Sequence, residues 1–227
     1  NDLKDEIKFI KKNTNSKKPR IIDLGCGFGF FLSAFDKKWE KIGIELSNFA
    51  IEKGFSDFNV FNFDLEKKFS KKQKNLLGTF DVVFSYHVIE HMNNPENLIY
   101  NAYNLLKKKG LFVIGTPNFD SGCARRYGKN YRFYNDKTHI SFFSENSLYR
   151  LLSKYGFSVE KVDFPFFETE HFNKKNLNRL FDNKKISPPF YGNLMSFYCL
   201  KKTKKQIIKE KKIFFNNHKK LLKNFSS

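Results

Sequence analysis

The chain has 227 residues, 40% of them hydrophobic, enough for one domain with a sizeable core and too few for a second catalytic domain. No apolar run approaches the roughly 20 residues that cross a bilayer. The start lacks a basic-then-apolar secretory pattern, and three scattered cysteines, Cys26, Cys123 and Cys199, form neither a disulfide framework nor a CxxC metal pair, so a reducing cytoplasm is the expected compartment. The formal charge of +19 points either to an anionic partner (nucleic acid, anionic lipid or a phosphorylated substrate) or to a compositional bias, since lysines scatter along the chain beside abundant Asn, Ile and Phe.

Residues 1–19 open with Leu3, Ile7 and Ile10 at helical spacing and continue as a polar linker, which predicts a short helix packed on the domain. Strand 20–24 runs into glycines, and 28–35 reads as a helix. Strand 41–45, a short helix over 48–53 and strand 59–63 follow. The Lys-rich stretch 65–78 reads as helix plus loop. A strongly apolar strand over 80–85 precedes a helix over 95–107 that ends in Lys and then Gly110. Strand 111–115 completes an alternation that implies a parallel sheet covered on both faces.

The rhythm then breaks. Residues 117–143 form a long aromatic and basic segment of the length that lids and binding loops have. Ser144 has the position of an N-cap for a helix through Tyr155, stopped by Gly156. Strands over 157–164 and 193–200 flank a polar insert at 168–186. The tail 203–227 is Lys-rich, with Ile207/Ile208, Phe214/Phe215 and Leu221/Leu222 spaced by seven, which predicts a basic helix with one apolar stripe.

The most informative segment is Ile21-Ile22-Asp23-Leu24-Gly25-Cys26-Gly27-Phe28-Gly29, a buried strand ending in a glycine turn. Its glycines fall as GxGxG and not as the dinucleotide GxGxxG, because Phe30 follows Gly29. Asp23, two residues before the first glycine, is badly placed for a pyrophosphate and well placed for the ammonium of an amino-acid-bearing ligand. Glu45, at the end of the second strand and 20 positions past Gly25, can accept from both hydroxyls of a ribose. Asp64, just past the third strand, can receive an adenine amino group.

With these spacings the chain resembles the class I S-adenosylmethionine-dependent methyltransferases from about residue 20 to residue 200. Asp23, Gly25, Gly27 and Gly29 match the glycine motif, Glu45 the ribose acid and Asp64 the adenine-side acid. Phe80-Asp81-Val82-Val83-Phe84-Ser85, with Tyr86-His87-Val88-Ile89-Glu90-His91 after it, matches the strand-four signature. The resemblance implies a Rossmann-like sheet of seven strands, mostly parallel with the last antiparallel, and S-adenosylmethionine as cofactor. It also implies cofactor contacts from Leu46, Leu65, Ser85 and Tyr86. The domain then covers 20–202.

Thr116-Pro117-Asn118 and Thr138-His139-Ile140-Ser141 resemble the branch holding quinone-type and sugar methyltransferases, in which a His before the helix after strand five lies near the acceptor. His139 is therefore the first candidate for a general base. His87, at the end of strand four, is the second candidate and is expected next to the methionine end of the cofactor. His91 is as consistent with local capping as with chemistry. Arg125, Arg126, Tyr131 and Arg132 in the lid suit an anionic or sugar-like small acceptor. No Asn/Asp-Pro-Pro-Tyr/Phe or Pro-Cys follows strand four, which speaks against adenine amino-methylation and against attack by Cys on cytosine. No His or Cys cluster has metal-ligand spacing. Expected partners are a small molecule and, compatibly, a second copy of the chain. Methylation of RNA or protein, favoured by the charge, and cofactor binding without catalysis are the alternatives.

Overall fold

The computed structural model describes residues 3–70, 73–164, 193–203 and 206–209. Seven strands form one sheet: β1 (Arg20–Leu24), β2 (Glu40–Glu45), β3 (Asn59–Asn62), β4 (Phe80–Tyr86), β5 (Leu106–Pro117), β6 (Phe157–Asp163) and β7 (Leu194–Lys201). Their order is β3-β2-β1-β4-β5-β7-β6, with β7 antiparallel to both neighbours and the others parallel. The inner strands carry apolar side chains on both faces, as a sheet covered on both sides requires.

One face packs α4 (Pro95–Leu105) and α6 (Glu145–Lys154) against Ile22, Val83, Phe112 and Phe197. The other packs α1 (Lys4–Asn13) and α2 (Phe30–Ser33) against Ile21, Val82, Phe84 and Tyr198. There the Phe31 and Phe84 rings stack with centroids 3.5 Å apart. Ile10 is fully buried, so α1 belongs to the core and is more than a polar leader.

β1 neighbours β2 on one side and β4 on the other. The chain therefore leaves β1 in one direction and returns to β4 in the other, which opens a crevice at the carboxyl ends of these strands. Short connections surround it: the glycine turn after β1, α3 (Asn48–Lys53) after β2, and a 3-10 turn at Ile89–His91 after β4.

The expected elements need four adjustments. The helix expected over 28–35 is confined to Phe30–Ser33, because Gly29 lies in the left-handed region (φ 85) and starts it late. The helix expected to 107 stops at Leu105. Leu106 is extended, fully buried and paired with Phe80, and the Lys107 ammonium binds the Asp81 carboxylate at 2.8 Å, so burial of Leu106 in the sheet outweighs helix continuation. The described part of 65–78 forms successive turns, held by Asn101, whose side chain accepts from the Phe69 amide. Within 117–143 a short helix, α5 (Gly122–Tyr127), forms under the Ser121 cap. Of the expected tail helix, residues 206–209 are described and helical; the rest, and the insert at 168–186, lie outside the described residues. No described helix is long and apolar enough to cross a membrane.

Candidate active site

The glycine turn places its backbone at the mouth of the crevice. Gly25, Gly27 and Gly29 all have positive φ (82, 53 and 85°), which side-chain-bearing residues rarely adopt. A Cβ at Gly25 would strike Val88, whereas one at Gly27 would meet nothing within 4 Å. Open space lies directly over the Gly27 backbone, as close approach by a ligand demands.

Two carboxylates flank that space. Glu45 Oε2 accepts from the Gly27 amide at 2.8 Å, and Oε1 accepts from the Leu46 and Ser47 amides at 2.9 Å each. The acid that ends β2 is thus fixed to the turn that ends β1. Asp23 is buried on β1, and burial, then the nearby Glu45, pushes its carboxyl well above the usual carboxylate range. Between them the Cys26 thiol is pushed up to about 12 by burial and by the same two carboxylates, which makes it inert as a nucleophile. Two carboxyl groups beside open backbone, one of them ready to ionise against a cation, fit a ligand bearing an ammonium and a ribose, the two ends of S-adenosylmethionine.

Asp64 follows β3 by two residues and is partly exposed; its Oδ1 accepts from the Glu66 amide at 3.0 Å. Leu65 is buried and Leu46 is 61% exposed. The side chains of Ser85 and Tyr86 both engage other parts of the chain. The Ser85 hydroxyl donates to the Leu24 carbonyl at 2.9 Å, and the Tyr86 hydroxyl is 3.1 Å from Ser196 Oγ. The Tyr86 ring lies flat over Gly115, where any Cβ would collide with it. Ser196 in turn donates to Glu6 of α1 at 2.8 Å, and burial raises the Glu6 pKa.

Beyond β4 the chain turns at His87, whose φ of 57° is unusual for a non-glycine residue. Its ring is 42% exposed, and its Nδ1 is 2.9 Å from Oε1 of Glu90, a fully buried carboxylate. Glu90 Oε2 accepts from the Thr116 hydroxyl at 2.9 Å, and its carbonyl accepts from the Ile140 and Ser141 amides. Glu90 therefore joins β4, β5 and the lid. Sequence reasoning passed it over; its position three residues after His87 is the signal that marks a His–carboxylate pair.

The lid builds its own small core from Phe119, Cys123, Ala124 and Tyr131. Tyr131 is buried there, its hydroxyl 3.1 Å from Asn193 Oδ1, and burial raises its pKa. His139 is also buried, with Nδ1 3.0 Å from the Phe133 carbonyl. Arg125 forms a two-pronged pair with Asp120 at 2.9 and 2.8 Å, so this guanidinium is already engaged. Arg132 lies over the Phe133 ring at 4.4 Å. The Arg126 side chain lies outside the described residues.

Among the described residues the fold also gathers Glu90, His91 and His139, two of them 48 positions apart, which residue spacing along the chain does not reveal.

A sequence model of the methyltransferase domain matches residues 1–162, about seven-tenths of the chain. An uncharacterized protein of Methanocaldococcus jannaschii is 25% identical over 194 residues, covering 78% of this chain and 79% of its own. A ubiquinone biosynthesis O-methyltransferase of Pelagibacter ubique is 28% identical over 126 residues, about half of each chain (49% and 52%). A crystallised SAM-dependent methyltransferase of Archaeoglobus fulgidus superposes with a TM-score of 0.64 at 22% identity, over 88% of this chain and 91% of the other. With GxGxG, Glu45 and the β3-β2-β1-β4-β5-β7-β6 sheet in place, the chain belongs to the methyltransferase-domain family and is an S-adenosylmethionine-dependent methyltransferase.

Proposed function

We propose that the protein methylates a hydroxyl of a small anionic or sugar-like acceptor, with His87 as the general base and Glu90 as the residue that positions it. The observation that carries this reading is the His87–Glu90 contact at the carboxyl end of β4. An ionised carboxylate only accepts, so His87 Nδ1 carries the hydrogen and Nε2 keeps its lone pair for the acceptor hydroxyl. The backbone of His87 is held in a strained conformation, as residues of reaction centres often are.

The bound cofactor supplies an activated methyl group on a sulfonium. The chain's own residues orient and deprotonate. Asp23 faces the ammonium, Glu45 the ribose and Asp64 the adenine in this reading. Leu46 and Leu65 add apolar contact, and Ser85 and Tyr86 shape the crevice wall. His87 takes the acceptor proton as the new oxygen–carbon bond forms, and Glu90 stabilises the resulting imidazolium. His139, whose ring is buried against the Phe133 carbonyl, is assigned to holding the lid. Arg132, without a carboxylate partner among the described residues, is the guanidinium left to attract an anionic acceptor. The named O-methyltransferase of Pelagibacter ubique supports oxygen as the methylated atom over the half of the chain that it matches.

General-base assistance contributes roughly 10²–10⁴ in rate. Radiolabelled methyl transfer to a panel of phenols, hydroxy acids and sugars is the assay. On the acceptor it identifies, His87→Ala should lose about that factor in kcat while binding S-adenosylhomocysteine like wild type. Near-normal kcat in His87→Ala with a large loss in His139→Gln would transfer the role to His139.

A further inference from the structure

At the root of the lid two histidines and two carboxylates come together. One ring nitrogen each from His91 and His139 and one carboxylate oxygen of Glu90 lie within 4.8 Å of one another. The two imidazole rings are 4.9 Å apart. Each histidine has its Nδ1 against a backbone carbonyl: His91 at 3.0 Å from Thr138 O, and His139 at 3.0 Å from Phe133 O. A carbonyl only accepts, so both Nδ1 atoms carry hydrogen and both Nε2 atoms present lone pairs. This is the orientation that supporting carbonyls impose on metal-bound histidines.

Asp136 adds a further oxygen. Its Oδ1 accepts from the Thr138 hydroxyl and amide at 2.7 and 2.9 Å, and these bonds hold its carboxyl below the usual range. Its Oδ2 faces His139 Nε2 at 3.7 Å. Two acceptors facing each other at that distance make no hydrogen bond. They are the spacing of two ligands around one positive centre. Glu90 brings full burial and one donor per oxygen, which leaves it lone pairs to offer.

We propose that His91, His139 and Glu90, with Asp136 at the rim, bind one divalent transition-metal cation of the zinc type. Imidazole nitrogen with carboxylate oxygen selects this class over magnesium or calcium. In a tetrahedral shell with bonds of about 2.0–2.1 Å the ligand atoms lie roughly 3.4 Å apart. Loading therefore draws residues 136–139 inward onto the turn at Ile89–His91 and clamps the lid to the end of β4. The site shares Glu90 with the His87 pair, but its test, on His91 and His139, does not depend on His87 acting as a base.

The test is titration of the untagged, chelator-treated full chain with Co²⁺, followed by its visible absorption and by displacement with Zn²⁺. One equivalent should bind, with tetrahedral absorption and a rise in Tm. His91→Ala, at an exposed position, should weaken binding at least about tenfold. His91→Ala combined with His139→Gln should abolish it. Wild-type affinity for S-adenosylhomocysteine in these variants verifies that they fold. Absence of stoichiometric Co²⁺ binding, or unchanged affinity in either variant, overturns the proposal.

Discussion

Asp23 is a carboxyl held inside the sheet, and its behaviour gives a pH signature. Its folded-state pKa lies above the unfolded one, because burial and Glu45 both penalise the charge. Its contribution to the stability of the ligand-free fold is therefore present below the unfolded pKa and is lost as pH rises through the folded one. An ammonium-bearing ligand favours the ionised form, so affinity for S-adenosylhomocysteine should rise with pH across the same window. Asp23→Asn should bind more weakly and flatten that rise; calorimetry over a pH series checks it, and a flat wild-type profile would separate Asp23 from the ligand. The positions of the acids on the proposed cofactor side were legible because each stands at a fixed offset from a glycine or a strand end. The acceptor side was not. His87 gains meaning only from Glu90 behind it, and the burial of His139 in the lid is what moves the proposed base to His87.

Elements were legible where local chemistry and burial agree. Ser144 was read as a cap, and its Oγ accepts from the Ser147 amide at 3.2 Å while Ser147 returns the bond to the Ser144 amide at 3.0 Å. Losing such a cap costs about 1 kcal/mol, so Ser144→Ala should lower the unfolding free energy by that amount, read as a lower urea midpoint at unchanged slope, without changing cofactor affinity. An unchanged midpoint would mean that α6 is held by Leu148 and Leu152 alone. Misreadings fall where long-range contacts override local signals. The lysines after Leu105 read as a helix end, yet Leu106 is taken by the sheet and Lys107 by Asp81, 26 residues away. The turns over 65–78 are held by Asn97 and Asn101, whose side chains donate to the Glu66 and Lys67 carbonyls; these partners on α4 are invisible in the local sequence.

At the scale of the whole molecule, two apolar layers on a seven-stranded sheet fix the carboxyl ends of β1 and β2 beside each other, and Glu45 binds them together through the Gly27 amide. The parallel part of the sheet follows the alternation seen in the sequence, and the seven strands with an antiparallel β7 match what the family resemblance implied, whereas the charge of +19 says nothing of where a ligand binds. Everything proposed for the acceptor rests on the cofactor occupying this crevice, with its ribose on Glu45. Calorimetric titration of S-adenosylhomocysteine into wild type and Glu45→Ala tests that most directly. The account predicts a single site in wild type and a loss of about 2–3 kcal/mol in the variant, the range for charge-assisted hydrogen bonds. Equal affinity in the two proteins, or tight NAD binding in place of S-adenosylhomocysteine, would contradict it.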